Sequence, residues 1–111
     1  MEQKLTITNG GRKTPCILRE PDFGRPRRVV LGVHGIAGSK DDAIQQSIAE
    51  EMELFGSVVL RFDLPAHGEN EEEILTLHGC VDTLLDMADY LAERYSDLSD
   101  LCIFATGFGA Y

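Results

Sequence analysis

The residues that could carry chemistry lie in three short segments, each of which follows an apolar run. They are His34-Gly35-Ile36-Ala37-Gly38, Asp63-Leu64-Pro65-Ala66-His67 and Ala105-Thr106-Gly107-Phe108-Gly109. Histidine transfers protons near neutral pH, and glycine lets the backbone approach a ligand closely. Segments of this kind, placed directly after strands, indicate a binding or catalytic site at one edge of a sheet.

The third segment has small residues two positions before and two positions after its centre. This pattern is typical of a buried strand that turns sharply into a helix, with the central residue held in a strained conformation. The central residue is Gly107. Glycine suits the strained turn because it has no Cβ, but it has no oxygen with which to attack a carbonyl.

The elements that must position these segments follow from hydrophobic patterning. Two short strands flank Asn9-Gly10-Gly11 and predict an opening β-hairpin. Three apolar runs predict buried parallel strands, and two amphipathic stretches predict the helices between them. The predicted strands are Leu5–Thr8, Pro15–Leu18, Val29–Val33, Val58–Phe62 and Leu101–Ala105, and the predicted helices run from the Ser39/Asp42 capping pair to Gly56 and from His78 to Tyr95. The order predicts an α/β fold with a mostly parallel sheet and flanking helices.

Each predicted helix has one apolar face. In the first, the buried residues are predicted to be Ile44, Ile48, Met52 and Phe55. In the second, the predicted stripe consists of Leu77, Val81, Leu84, Leu85, Ala88, Leu91, Ala92 and Tyr95, with Asp82, Asp86, Asp89 and Glu93 outside it.

Length and charge limit the classes of function. A chain of 111 residues is predicted to be a single domain over 1–111. The net charge of −9 is divided into +5 for residues 1–40 and −14 for residues 41–111, which argues against nucleic-acid or anionic-membrane partners over most of the surface. No apolar run is long enough to span a bilayer, and three widely spaced cysteines favour reduced thiols. We therefore expect a cytoplasmic protein.

Two longer motifs resemble the α/β-hydrolase superfamily. Residues 29–40 resemble the first long parallel strand and its His-Gly-x-x-Gly oxyanion loop, and residues 60–69 look like the family's Arg-x-Asp-x-x-Gly-His-Gly-x-Ser loop with Ala66 in place of a glycine. Together with the turn at Gly107, they cover nearly the whole chain in the family's order. The style of the first loop is most similar to esterases of the cinnamoyl/feruloyl, small-ester type. The resemblance implies the amino-terminal part of the fold and an incomplete domain.

The resemblance also implies a role for each matched residue. Gly107 occupies the position of the nucleophilic serine, and the amides of Ile36 and Phe108 form the oxyanion hole. The residues expected to brace the loops are His34, Gly35, Asp63 and His67. The substrate would be a small ester, and no metal or cofactor is implied.

The chain departs from the family in two respects. Gly107 has no nucleophilic oxygen, and the three histidines, at 34, 67 and 78, all precede it, whereas the family's order is nucleophile, acid, histidine. We therefore expect the chain itself to be inactive. A second hypothesis is a non-catalytic binding module that self-associates through strand 101–105, which would present an apolar edge. A third is a small nucleotide-binding α/β domain, although Gly-x-Gly-x-x-Gly and the P-loop pattern are both absent.

Overall fold

A computed structural model describes residues 2–22, 26–35, 38–71, 74–96 and 101–106. The described residues form one five-stranded sheet with a helix on each face. The elements are β1 (Glu2–Asn9), β2 (Arg12–Arg19), β3 (Arg28–Val33), α1 (Ala43–Leu54), β4 (Ser57–Phe62), α2 (Leu77–Arg94) and β5 (Leu101–Ala105). The strand order across the sheet is β1-β2-β4-β3-β5.

The opening hairpin is confirmed. β1 and β2 pair in antiparallel register from Glu2 opposite Arg19 to Asn9 opposite Arg12. Gly10 and Gly11 form the turn, both with positive φ (+56° and +84°), which is the geometry of a tight hairpin turn that glycine adopts without strain.

The predicted α/β architecture is confirmed as well. β3 pairs in parallel with both β4 and β5, so the three strands run in one direction. β2 pairs antiparallel with β4, and the sheet as a whole is therefore mixed. Because parallel strands end at the same edge, the segments that follow β3, β4 and β5 begin there.

The core consists of two layers, one on each face of the sheet. The larger layer packs alternate residues of the strands against α2, with Leu31, Leu60, Phe62 and Met87 fully buried. The smaller one lies on the α1 face around Val30, Ala49 and Val59. Among the described residues, no helix is both long and apolar enough to cross a membrane.

The predicted buried face of α1 is partly wrong. Ile44 and Phe55 are 66% and 76% exposed, and the buried residues of the helix are Gln45 and Ala49. The physical reason is the Gln45 side chain, whose Nε2 donates to the carbonyl of Val33 at 3.0 Å. This bond satisfies the Nε2 of the buried side chain, and the apolar flank of the helix faces outward.

The predicted face of α2 is displaced in the same way. Asp86 was expected outside the apolar stripe but is buried, because its carboxylate accepts hydrogen bonds from Arg12 and Asn9 of the hairpin. Leu77, Val81 and Leu85 are exposed, whereas Leu91 and Tyr95 are buried as predicted. The core-facing side is thus rotated toward the hairpin.

The helix ends agree closely with the predicted ones. α2 begins one residue earlier than predicted, and the Oγ1 of its N-cap Thr76 accepts from the Gly79 amide at 2.9 Å. At the other predicted cap, Asp42 is the N-cap of α1 but makes no side-chain capping bond. Gly56, with φ of +85°, follows the last turn of α1 as predicted.

Candidate functional site

The carboxyl edge of the sheet brings the ends of β3 and β5 together. The Thr106 amide, one residue past the end of β5, donates at 3.1 Å to the carbonyl of Val33, the last residue of β3. Gln45 stabilises this contact between the ends of β3 and β5. Its Nε2 donates both to the Val33 carbonyl (3.0 Å) and to Thr106 Oγ1 (3.2 Å). His34 and Thr106, the first residues after β3 and β5, therefore leave the sheet from neighbouring positions.

His34 joins the loop after β3 to the loop after β4. Its Nδ1–H donates to the Gly35 carbonyl at 2.7 Å, and its Nε2 accepts from the Leu64 amide at 3.0 Å. The ring is fully buried, and burial lowers its pKa below the ordinary value for histidine. Both ring nitrogens are therefore engaged in a neutral imidazole, which leaves neither free to act as a general base.

Asp63 is the acceptor at the centre of the site. Its buried carboxylate accepts from the Lys40 amide (2.8 Å), the Lys40 ammonium (2.8 Å) and the Glu69 amide (2.9 Å). Gly68 makes room for it, because a Cβ at that position would lie 2.5 Å from the carboxylate atoms. Asp63 thus holds backbone from both loops.

His67 lies beside His34. The two ring centroids are 4.9 Å apart and the rings are tilted by 50°. The Nδ1–H of His67 donates to the Pro65 carbonyl at 3.0 Å, within its own loop. Ala66 has φ of +67°, a conformation that glycine adopts easily and alanine does not, at the position where the resemblance leads one to expect glycine.

The glycines of the first loop act through close approach. The Gly38 amide donates to the Gly35 carbonyl at 3.0 Å, which closes a turn. Among the described residues, positive φ at glycine occurs at positions 10, 11, 56 and 68 only, so neither loop glycine needs it. A side chain at Gly38 would collide with the carboxylate of Asp42.

The structure brings together four of the sequence-predicted site residues, His34, Gly35, Asp63 and His67. The other three, Ile36, Gly107 and Phe108, lie outside the described residues. The remaining histidine, His78, is on the first turn of α2 with its side chain almost fully exposed, 3.4 Å from Asp82.

Two residues of the site were missed by the sequence reasoning. Lys40 was included only in segment 29–40, which resembles the family's first strand and loop, and Gln45 was not among the residues predicted for the buried face of α1. The sequence did hold a signal for Lys40. This lysine lies at the end of one loop, acidic residues lie in the loops that follow, and opposite charges in such loops can pair. For Gln45 no local signal exists, since its partners are 12 and 61 residues away.

The site has the composition of a hydrogen-bonded framework. In the part of the chain that the structure describes, no group of three or more His, Cys, Asp or Glu side chains is placed to hold a metal ion. The acidic side chains instead surround the Lys40 ammonium, which lies 2.8 Å from Asp63, 2.6 Å from Glu69 and 3.2 Å from Asp41. Asp41 and Asp42 also stand at the start of α1, where their charges disfavour a bound phosphate.

We compared the sequence and the structure of this chain with those of known proteins. No protein-family model and no curated protein matches the sequence. Among solved structures, an alpha-beta serine hydrolase homologue from Coxiella burnetii matches 98% of this chain and 53% of its own, with a TM-score of 0.87 and 16% identity. XC6422 from Xanthomonas campestris, a serine hydrolase without a lid, matches 99% of this chain and 52% of its own, with a TM-score of 0.87 and 19% identity.

A third solved structure is Est1E from Butyrivibrio proteoclasticus with ferulic acid bound. It matches 91% of this chain and 41% of its own, with a TM-score of 0.82 and 21% identity. The chain thus spans about half the length, or less, of these structures. From its strand order, its two helices and these superpositions, the chain has the fold of the amino-terminal part of an α/β-hydrolase.

Proposed function

We propose that the chain is part of a carboxylic ester hydrolase scaffold, an incomplete α/β-hydrolase domain whose parent reaction proceeds through an acyl-enzyme. In that reaction a serine oxygen at position 107 attacks the ester carbonyl and gives its proton to a histidine base. The base returns the proton to the departing alcohol, and water then releases the acid. The amides of Ile36 and Phe108 would stabilise the oxyanion.

One observation supports this proposal above the others. The bonds from Thr106 and Gln45 to the Val33 carbonyl bring the starts of both loops to neighbouring positions at one edge of the sheet. An oxyanion hole requires two amides that face one reacting atom, and we assign this role to residues 36 and 108, which follow these two strand ends in the sequence.

We infer that the chain as it stands does not turn over esters. Removal of the nucleophile from such a triad costs on the order of a millionfold in kcat. His34 cannot supply the base, since both of its ring nitrogens are engaged.

The substrate class that we propose is a small ester. The first loop has the style of cinnamoyl/feruloyl-type esterases, and Est1E, one of the solved structures with this fold, has ferulic acid bound. We also propose a cytoplasmic location, since the three widely spaced cysteines favour reduced thiols.

Binding without turnover is the measurable signature of this function. We expect phenyl butyrate to shift the backbone amide resonances of Ile36 and Phe108 in a ¹H–¹⁵N titration, and to remain unhydrolysed above the buffer rate. Phenyl butyl ether, which lacks the carbonyl, is the matched control and should shift neither amide. Ester turnover that survives Gly107→Ala, or equal shifts with ester and ether, would contradict the proposal.

A second candidate function is self-association through β5. Leu101 and Ile103 are 43% and 55% exposed, although they continue the face of the sheet that holds Val29 and Leu31 in the core. Among the described strands, β5 has β3 as its one neighbour, so its other backbone edge is unpaired. A second copy offers an identical edge, which makes a symmetric dimer the simplest partner.

Sedimentation velocity tests this second candidate. We expect the weight-average mass to rise from 12.3 kDa toward twice that value as the protein concentration increases. A constant monomer mass up to the millimolar range would rule it out.

A further inference from the structure

We propose that Arg61, on β4, is the centre of a binding site for a small monovalent anion of the size of chloride. Alternate residues of a strand point to the same face of a sheet, so Arg61 shares the α1 face with Val59. Arg19, on the neighbouring strand β2, is the second cation of the site. The inference does not depend on ester chemistry, because the residues that carry it all lie in described strands and helices.

The guanidinium of Arg61 is buried without a hydrogen-bond partner. Its side chain is fully buried, and among the described residues none accepts a hydrogen bond from its Nε, Nη1 or Nη2. Arginine stays charged in proteins and carries five N–H donors. A buried charge of this kind is stable only when it is paired and hydrogen-bonded. Arg61 therefore requires an acceptor that carries negative charge.

The carboxylates around Arg61 do not meet this requirement. Glu2 Oε2 lies 3.9 Å from Arg61 Nη2, beyond hydrogen-bond distance, and the same oxygen already accepts from Arg19 Nη2. Asp41 and Glu50 attract Arg61 from a longer distance, and their side chains are 53% and 59% exposed. Because solvent screens exposed charges, these two carboxylates do not replace a direct partner.

The second guanidinium increases the need for a negative charge. Arg19 and Arg61 both approach Glu2 Oε2, which places the two groups side by side. Burial lowers the pKa of Arg61, and the positive charge of Arg19 lowers this pKa further. The Nε of Arg19 is also buried and has no acceptor among the described residues. An anion that accepts from these N–H groups would reduce the repulsion between the two cations.

The surroundings of Arg61 favour a small ligand with a single charge. On β3 its neighbour is Gly32, and on β2 its neighbour is the buried Ile17. A Cβ at Gly32 would lie 2.6 Å from the Phe104 ring and 2.9 Å from Gln45 Oε1. Packing this close favours an ion of one or a few atoms over a phosphorylated metabolite. The net charge of −9 disfavours a multivalent anion, and water accepts hydrogen bonds but does not neutralise a charge.

A chloride titration at constant ionic strength tests the inference. Sodium gluconate, whose anion is too large for an enclosed site, is replaced stepwise by sodium chloride. The measurements are the line width of the chlorine-35 resonance, the Nε–H resonance of Arg61 and the equilibrium constant of urea unfolding. Arg61→Met identifies the Nε–H resonance by its loss and removes the site. Lys13→Met is the matched control, because it removes the same charge from an exposed side chain.

We expect chloride to broaden its own resonance in the presence of wild type and to shift the Arg61 Nε–H signal, both with one saturating Kd. Chloride at ten times this Kd should lower the unfolding equilibrium constant about elevenfold relative to gluconate. Lys13→Met should respond as wild type does, and Arg61→Met should not distinguish the two salts. A wild type that behaves equally in both salts, or a chloride response that survives Arg61→Met, would overturn the inference.

A second variant covers the case in which Arg61→Met fails to fold. Glu2→Gln removes the carboxylate charge beside both guanidinium groups, which would otherwise repel a bound anion. The chloride Kd of this variant should therefore fall by about threefold or more. An unchanged or higher Kd would show that chloride binds elsewhere on the protein and would overturn the inference.

Discussion

The loop cluster, defined as His34, Lys40, Asp63, His67 and Glu69, and the β5 edge, defined as Leu101 and Ile103, are opposite kinds of structure. The cluster is polar, and its buried members His34, Lys40 and Asp63 each have a hydrogen-bond partner within the chain. The β5 edge is apolar, and its two side chains are about half exposed to solvent. In one region polar side chains are thus buried, and in the other apolar side chains are exposed.

The difference shows which of the two regions is stabilised within a single chain and which gains stability from contact with another molecule. Buried polar groups are stable only when their hydrogen bonds are made, and the loop cluster makes them without help from another molecule. Exposed Leu and Ile on an unpaired strand edge gain free energy when they are covered. We therefore expect properties of the loop cluster to be independent of protein concentration, and those of the β5 edge to depend on it.

The largest expected effect is at the β5 edge. Ile103→Lys places a charge where a second copy would pack, and in a symmetric dimer the change occurs twice. Loss of two buried isoleucines at about 2 kcal/mol each weakens the dimer on the order of a thousandfold. Sedimentation velocity across a concentration series measures the change in Kd.

Thr8→Lys on β1 is the matched control, because β1 is the other edge strand of the sheet and Thr8 is already exposed. It should leave the association constant within a factor of three. Equal effects of the two substitutions would indicate non-specific charge repulsion, and the contrast between the two edges of the sheet would then disappear.

Much of the fold was predictable because its signals are local. The hairpin follows from Gly10 and Gly11, which adopt the positive φ of a tight turn, and the parallel strands follow from continuous β-branched runs. Helix rotation was not predictable from periodicity. Gln45 and Asp86 are buried because of partners 61 and 74 residues away, and no local pattern contains that information.

The sequence predicted which residues would gather at the candidate site, but not the hydrogen bonds that join them. The resemblance pointed to His34, Asp63 and His67, and these residues lie together at the carboxyl edge. The bond from Lys40 to Asp63 joins residues 23 apart in sequence on two different loops, so only the fold reveals it. The roles of Ile36, Gly107 and Phe108 stay predictions.

The next effect concerns His34 and the pH dependence of stability. Because burial lowers its pKa in the folded state, the unfolded chain takes up this proton more readily once the pH falls below about 6.5. The stability contributed by neutral His34 is thus present above pH 6.5 and decreases by up to about 1.4 kcal/mol per pH unit as the pH falls toward the folded-state pKa.

His34→Leu removes this titration and is expected to cost about 1–3 kcal/mol at pH 7.5, since the Leu64 amide loses its acceptor. Urea unfolding at pH 7.5, 6.5 and 5.5 measures both effects. The difference in free energy of unfolding between wild type and variant should shrink as the pH falls. A constant difference at all three pH values would mean that His34 does not titrate in this range.

The smallest effect is at Ala66, where the loop cluster holds an alanine at φ of +67°. Left-handed backbone costs an alanine roughly 1–2 kcal/mol, and glycine avoids that cost while losing somewhat more chain entropy on folding. Ala66→Gly should therefore stabilise the protein by about 1 kcal/mol, measured by urea unfolding. Ala92→Gly, an exposed position within α2, is the control and should destabilise it by about 1 kcal/mol.

Both shifts should be the same at low and high protein concentration, because neither residue belongs to the β5 edge. A gain at Ala66 that appears only at high concentration would mean that the loop cluster also takes part in association, and its separation from the β5 edge would be lost.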